Sequence, residues 1–187
     1  MKYFAIILNL NGELEQQARK GWQLLKQNLS IKFIASNSPC PHITLESGFY
    51  GNQNSVLEAM SKVAKNTLPF TIKANGLGVF VQESPVIHIR WVNNKALIQL
   101  RQALAKELIE RSCDNPTDSI LGYQVNANWL PKTTLAFKDS SYDTLPKALR
   151  ILKPLVFDSI LEVKKLALYE YADKQPEKQL YSISLNK

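Results

Sequence analysis

The chain has 187 residues, enough for one well-packed domain or for two small lobes sharing a cleft. Hydrophobic residues make up 45% and charged residues 21%, the balance of a soluble globular protein, and no apolar run approaches the roughly 18–20 residues of a membrane-spanning helix. The net charge of +7 favours an anionic partner such as RNA or a nucleotide, but the lysines are scattered, which sets aside a basic tail.

The opening MKYFAIILNLNGE has a short apolar run and no small-residue cleavage site, so residues 3–10 read as a first β-strand rather than a signal peptide. The cytoplasm is the expected location. A helix follows from about Leu14 to Leu29, with Leu14, Ala18, Trp22, Leu25 and Leu29 on one face. IKFIA (31–35) and HITLES (42–47) read as short strands separated by the breaker stretch SNSPCP. A second helix follows Asn54 and buries Val56, Leu57, Met60, Val63 and Ala64. PFTIKANGLGVF and PVIHIRWV read as antiparallel neighbours. A third helix runs from about Asn94 to Glu110 on the stripe Leu97, Leu100, Leu104 and Leu108. RSCDNPTDS reads as a loop, TTLAF as a strand, and the stretch with Pro146, Leu149 and Leu152 as a short helix. KKLALYEY and LYSISLN are closing strands joined by DKQPEK. Helices and antiparallel strands alternate irregularly, so the class is α+β, with no linker long enough to divide the chain into independent domains.

Cys40 and Cys113 are the only cysteines, and neither has a CxxC partner. With His42 and His88 they make four soft ligands at unhelpful spacings, so no metal and no cofactor is expected.

PHITL at 41–45 is followed by PKTTL at 131–135. In a strand, alternate side chains face opposite sides, so Ile43 and Leu45 turn toward the helices and His42 and Thr44 to the other face. The same rule puts Leu135 and Phe137 inward and aligns Lys132 with Thr134. In PVIHIRWV it sets Ile87, Ile89 and Trp91 on the apolar side and leaves His88 and Arg90 on the polar one. Three strands thus each offer a basic residue, and two add a hydroxyl two residues on. If these polar faces meet across a concave sheet, they form a phosphate pocket.

The repeated motif resembles the 2H phosphoesterase superfamily, also called the 2′-5′ RNA ligase-like or cyclic phosphodiesterase family, which carries two His-x-Thr motifs. PHITL is similar to the first motif and WLPKTTLAF to the surroundings of the second. FTIKANGLGVFVQESPVIHIRWV, LALYEY and QLYSISL are similar to the family's middle segment and closing strands, so the resemblance covers nearly the whole chain. It implies one bilobal domain over residues 1–187, with two pseudo-symmetric lobes of antiparallel sheet and outer helices around a central cleft. It further implies metal-independent phosphodiester hydrolysis by a monomer, on a 2′,3′-cyclic phosphate, a 2′-5′ linkage or an RNA 3′ end. One histidine acts as base, the other as acid, and the threonines hold the phosphate.

Residue by residue, His42 and Thr44 fit the first motif and Thr134 the second, while Lys132 replaces the second histidine. An imidazole exchanges protons near neutrality, whereas an ordinary lysine is a poor donor but a good fixed cation beside a charged transition state. Burial or a neighbouring cation such as Arg90 would lower its pKa toward a useful range. Three readings follow. Lys132 supplies charge or slow acid catalysis to a working hydrolase, with His42 as base. Alternatively the chain is a nucleotide- or RNA-end-binding protein that kept the cleft. In the third reading His88 stands in for the missing histidine. A general RNA-binding module without a catalytic cleft is a fourth class. Phe80 and Tyr169 are candidate cleft surfaces for stacking a base.

Overall fold

A computed structural model describes residues 2–111, 129–171 and 177–186. The segments read as a loop at RSCDNPTDS (beyond Arg111) and as the start of DKQPEK lie outside these residues, as does Cys113.

Among the described residues, eight strands form two four-stranded antiparallel sheets. The first, ordered β2-β1-β7-β8, comprises β1 (Lys2–Asn9), β2 (His42–Tyr50), β7 (Lys165–Tyr171) and β8 (Lys178–Ser184). The second, ordered β5-β4-β3-β6, comprises β3 (Phe70–Phe80), β4 (Val86–Trp91), β5 (Lys132–Ala136) and β6 (Ile160–Val163). Exchanging β1 with β4, β2 with β5, β7 with β3 and β8 with β6 maps one order onto the other. This is the pseudo-two-fold arrangement expected for an α+β chain that repeats its motif.

Among the described residues the helices are α1 (Gly12–Leu29), α2 (Phe33–Asn37), α3 (Gln53–Lys65), α4 (Lys95–Arg111) and α5 (Leu145–Leu152). Leu14, Ala18, Trp22 and Leu25 recur at intervals of three or four residues and are all buried, which is why α1 forms and where it packs. It ends where Ser30 adopts φ 57°, with its N–H on the carbonyls of Leu25 and Lys26. The helix after each sheet's β1 or β4 crosses over: α1 packs on α5 and β5, whereas α4 packs on α3 and β2. The two halves therefore interlock. β1 is apolar and buried on both faces: Phe4, Ile6 and Leu8 join the main core, while Ala5 and Ile7 on the other face cluster with their cross-strand neighbours Tyr169 and Ala167.

Two assignments change. IKFIA is expected as a strand, but residues 33–37 form α2. The Asp139 Oδ2 accepts from the backbone N–H groups of Lys32 (2.6 Å) and Phe33 (2.7 Å), so a distant carboxylate caps the helix and overrides the β-propensity of the run. β6 is an additional strand. Only four residues long, ILEV gives little periodicity, yet Leu161 and Val163 are buried and pair across to Ile72 and Phe70.

Both motif strands carry the same irregularity. Ile6 faces Glu46 and Ile7 faces Thr44, so Leu45 is an extra, unpaired residue. Likewise Ile87 faces Ala136 and His88 faces Thr134, leaving Leu135 over. A β-bulge thus follows the threonine of each motif and reverses the facing of later residues. Each bulged strand is held by a crossing helix. Arg101 Nε donates to the Leu45 carbonyl (3.2 Å), and Trp22 Nε1 donates to the Thr134 carbonyl (3.1 Å). Arg101 Nη2 also lies 3.1 Å from Glu46 Oε1, whose carboxyl burial pushes up to about 7 despite that counter-charge.

Gly78 on β3 pairs with His88 and lets its ring lie flat across the sheet. A Cβ there would stand 2.6 Å from His88 Nε2 and 2.8 Å from Arg90 Cγ. Gly78→Ala should therefore cost about 1–3 kcal/mol, read as a lower urea midpoint at unchanged slope.

Candidate functional site

β2 and β5 are edge strands of their sheets and lie against each other. An open cleft of about 1180 Å³ runs beside them, lined by His42 and Thr44 from β2 and by Lys132 and Thr134 from β5. The bulges add one cleft residue to each side, Ser47 and Phe137. Strict alternation would have chosen 46 and 136, which are instead fully buried on the helix side. Phe137, expected inward, lines the cleft edge-on to Phe33, with ring centroids 6.2 Å apart.

His42 is half-buried, and its Nδ1 lies 3.0 Å from the Cys40 carbonyl oxygen and 3.4 Å from Ser38 Oγ. A carbonyl only accepts, so Nδ1 carries the proton and Nε2 keeps its lone pair. Burial drives the His42 pKa down to about 4; the Cys40 carbonyl opposes the shift and the Lys132 charge adds to it. The ring is therefore neutral at pH 7, the state a general base requires. Lys132 Nζ donates to Thr134 Oγ1 at 2.9 Å, which leaves the threonine's own proton for a ligand oxygen. Burial lowers the lysine below its ordinary range.

The remaining expected residues divide. Phe80 lines the cleft. Arg90 is exposed and pairs in register with Lys132. His88 pairs with Thr134 but is buried and absent from the cleft lining. Its Nδ1 donates to the Val86 carbonyl (3.2 Å), its Nε2 faces Gly78, and Phe80 covers the ring at 4.2 Å. Burial, then the charges of Lys132 and Arg90, lower the His88 pKa, with the Val86 carbonyl opposing. Tyr169 is buried behind the cleft rather than lining it. Its hydroxyl donates to Gln179 Oε1 (2.8 Å) and lies 3.2 Å from Cys40 Sγ, and its ring stacks at 6.5 Å on the His42 ring.

Ser38 and Glu177 also line the cleft, beside His42. No sequence pattern marks them, because their partners are distant or lie in irregular backbone. Among the described residues, no group of three or more His, Cys, Asp or Glu side chains is placed to hold a metal ion, and no helix is long and apolar enough to cross a membrane.

A family model described as the 2′-5′ RNA ligase superfamily matches residues 14–175. No curated protein sequence matches the chain. Among solved structures, TT0787 of Thermus thermophilus is 17% identical, with 98% of this chain and 97% of that chain covered and a TM-score of 0.72. LigT of E. coli in complex with 3′-AMP is 18% identical, with 100% and 99% covered and a TM-score of 0.63. LigT has also been solved with NADP+ and with ATP.

Proposed function

Because the chain belongs to the 2′-5′ RNA ligase superfamily, the 2H phosphoesterases, we propose that it is a metal-independent phosphodiesterase acting on a nucleotide or RNA-end phosphoester, of the 2′,3′-cyclic phosphate or 2′-5′ class. The observation that carries this reading is a neutral His42, with Nε2 free, sharing one cleft with the Lys132–Thr134 pair. His42 Nε2 takes a proton from water as the water oxygen bonds to phosphorus. The ammonium of Lys132 offsets the charge growing on the phosphoryl oxygens and gives a proton to the leaving sugar oxygen as that P–O bond breaks. The products are a phosphomonoester and a sugar hydroxyl, and solvent then resets both side chains. Thr44 and Thr134 hydroxyls donate to the non-bridging oxygens, and Arg90, exposed and outside the cleft lining but paired in register with Lys132, adds positive charge nearby. The two halves act together as one bilobal domain, without a second copy.

The binding reading draws on one observation, the lysine where its family carries histidine. Turnover separates the two. Incubation with a nucleoside 2′,3′-cyclic phosphate in EDTA should give a phosphomonoester at the rate seen without chelator. Thr44→Ala and Thr134→Ala should each raise KM about 10–150-fold, the worth of about 1.5–3 kcal/mol for a hydrogen bond to a charged group. Binding without any product would leave the binder, and a rate lost in EDTA would require a different mechanism.

A further inference from the structure

We propose that Ser38 and Glu177 form a positioning relay behind His42, fixing the imidazole and sharing the positive charge it acquires when it takes a proton. This rests on the hydrolytic role given to His42 above. Ser38 Oγ donates to Glu177 Oε2 at 2.9 Å. The same oxygen, its proton thus engaged, presents a lone pair 3.4 Å from the His42 Nδ1–H, which it shares with the Cys40 carbonyl at 3.0 Å. The Nδ1 side of the imidazole is therefore gripped by two acceptors, one of them backed by a carboxylate.

Glu177 is itself held. Its backbone N–H donates to the Asn37 carbonyl at 3.0 Å, pinning the start of β8 to the end of α2. The Tyr171 hydroxyl also stands near its carboxylate and favours the charged form. Ser38 is buried and Glu177 and His42 are half-buried, so the chain from carboxylate to hydroxyl to ring is partly shielded from water, which strengthens such interactions. A carboxylate directly behind a catalytic histidine holds its tautomer and stabilises the imidazolium; here a hydroxyl transmits that influence. Burial raises the Glu177 pKa and the Ser38 and Tyr171 hydroxyls oppose the rise, so both favour the ionised form the relay needs.

With only two histidines in the chain, ¹⁵N resonances of the His42 ring can be followed without ambiguity in the intact protein. Glu177→Gln keeps the shape and removes the charge, and should lower the His42 titration midpoint by about half a unit or more. On a nucleoside 2′,3′-cyclic phosphate, Glu177→Gln and Ser38→Ala should each cut kcat about 10–100-fold with KM nearly unchanged, and Ser38→Thr should restore most of it. An unmoved His42 midpoint in Glu177→Gln overturns the relay, even if kcat falls, because the loss is then one of packing. If the wild-type protein hydrolyses nothing, the hydrolytic reading fails. The ring titration still decides the relay: a shifted midpoint supports it and an unshifted one removes it.

Discussion

His42→Ala should reduce hydrolysis of a nucleoside 2′,3′-cyclic phosphate about 100- to 10,000-fold, the range a positioned general base contributes. Among the cleft residues, His42 alone is an imidazole, and it is already neutral at physiological pH. The other histidine cannot take over without rebuilding β3, because His88 Nε2 lies against Gly78 and Phe80 covers the ring. The loss should fall on kcat more than on KM, since phosphate contacts from the threonines and from Lys132 survive. Steady-state kinetics with a folded variant, checked by an unchanged far-UV spectrum, reads this directly. A variant retaining more than about a tenth of the rate would assign the base elsewhere.

Lys132→Ala should cost about 100- to 1,000-fold, the scale of removing a group aimed at developing transition-state charge. Two functions disappear together: the fixed cation beside the phosphoryl oxygens and the proton for the leaving oxygen. The Thr134 hydroxyl also loses the donor that holds it at 2.9 Å. A second consequence is independent of turnover. Burial is the main cause of the depressed His42 pKa and the Lys132 charge adds to it, so removing that charge should raise the pKa above about 4 while burial still holds it low. A His42 midpoint that stays put in Lys132→Ala would mean that the two side chains do not feel each other across the cleft.

Much of this site is legible because its two halves are written in nearly the same residues. Proline, threonine and leucine recur at matching positions in PHITL and PKTTL, and strand alternation turns His42, Thr44, Lys132 and Thr134 toward one side. Alternation fails one step later, at Leu45 and Leu135. Each is a bulge residue, and an extra residue changes no apolar pattern that a sequence displays. Ser47 and Phe137 therefore reach the cleft unannounced. α2 reads as a strand because its cap comes from Asp139, more than a hundred positions away. Alternation identifies the polar side of β4, but direction says nothing about cover: Phe80 and Gly78 enclose His88, while Arg90 on the same face stays exposed. Tyr169 illustrates the converse, an aromatic residue near the centre whose hydroxyl is absorbed by Gln179 and Cys40. Ser38 and Glu177 meet only when α2 and β8 are folded together, so neither could be paired in advance.

The pairing of a histidine base with a lysine acid is tested most directly by the pH dependence of kcat/KM in the wild-type protein and in Lys132→His. This quantity reports the acid and base of the free enzyme. In the wild type, activity should fall on the acid side near pH 4, where His42 gains its proton, and on the alkaline side only as Lys132 loses its own, giving a broad plateau. An imidazole at position 132 starts from a pKa of about 6.5, so the alkaline limb should move down to neutrality or below while the acid limb stays in the acid range. An alkaline limb that does not move between the two proteins would contradict the role given to Lys132.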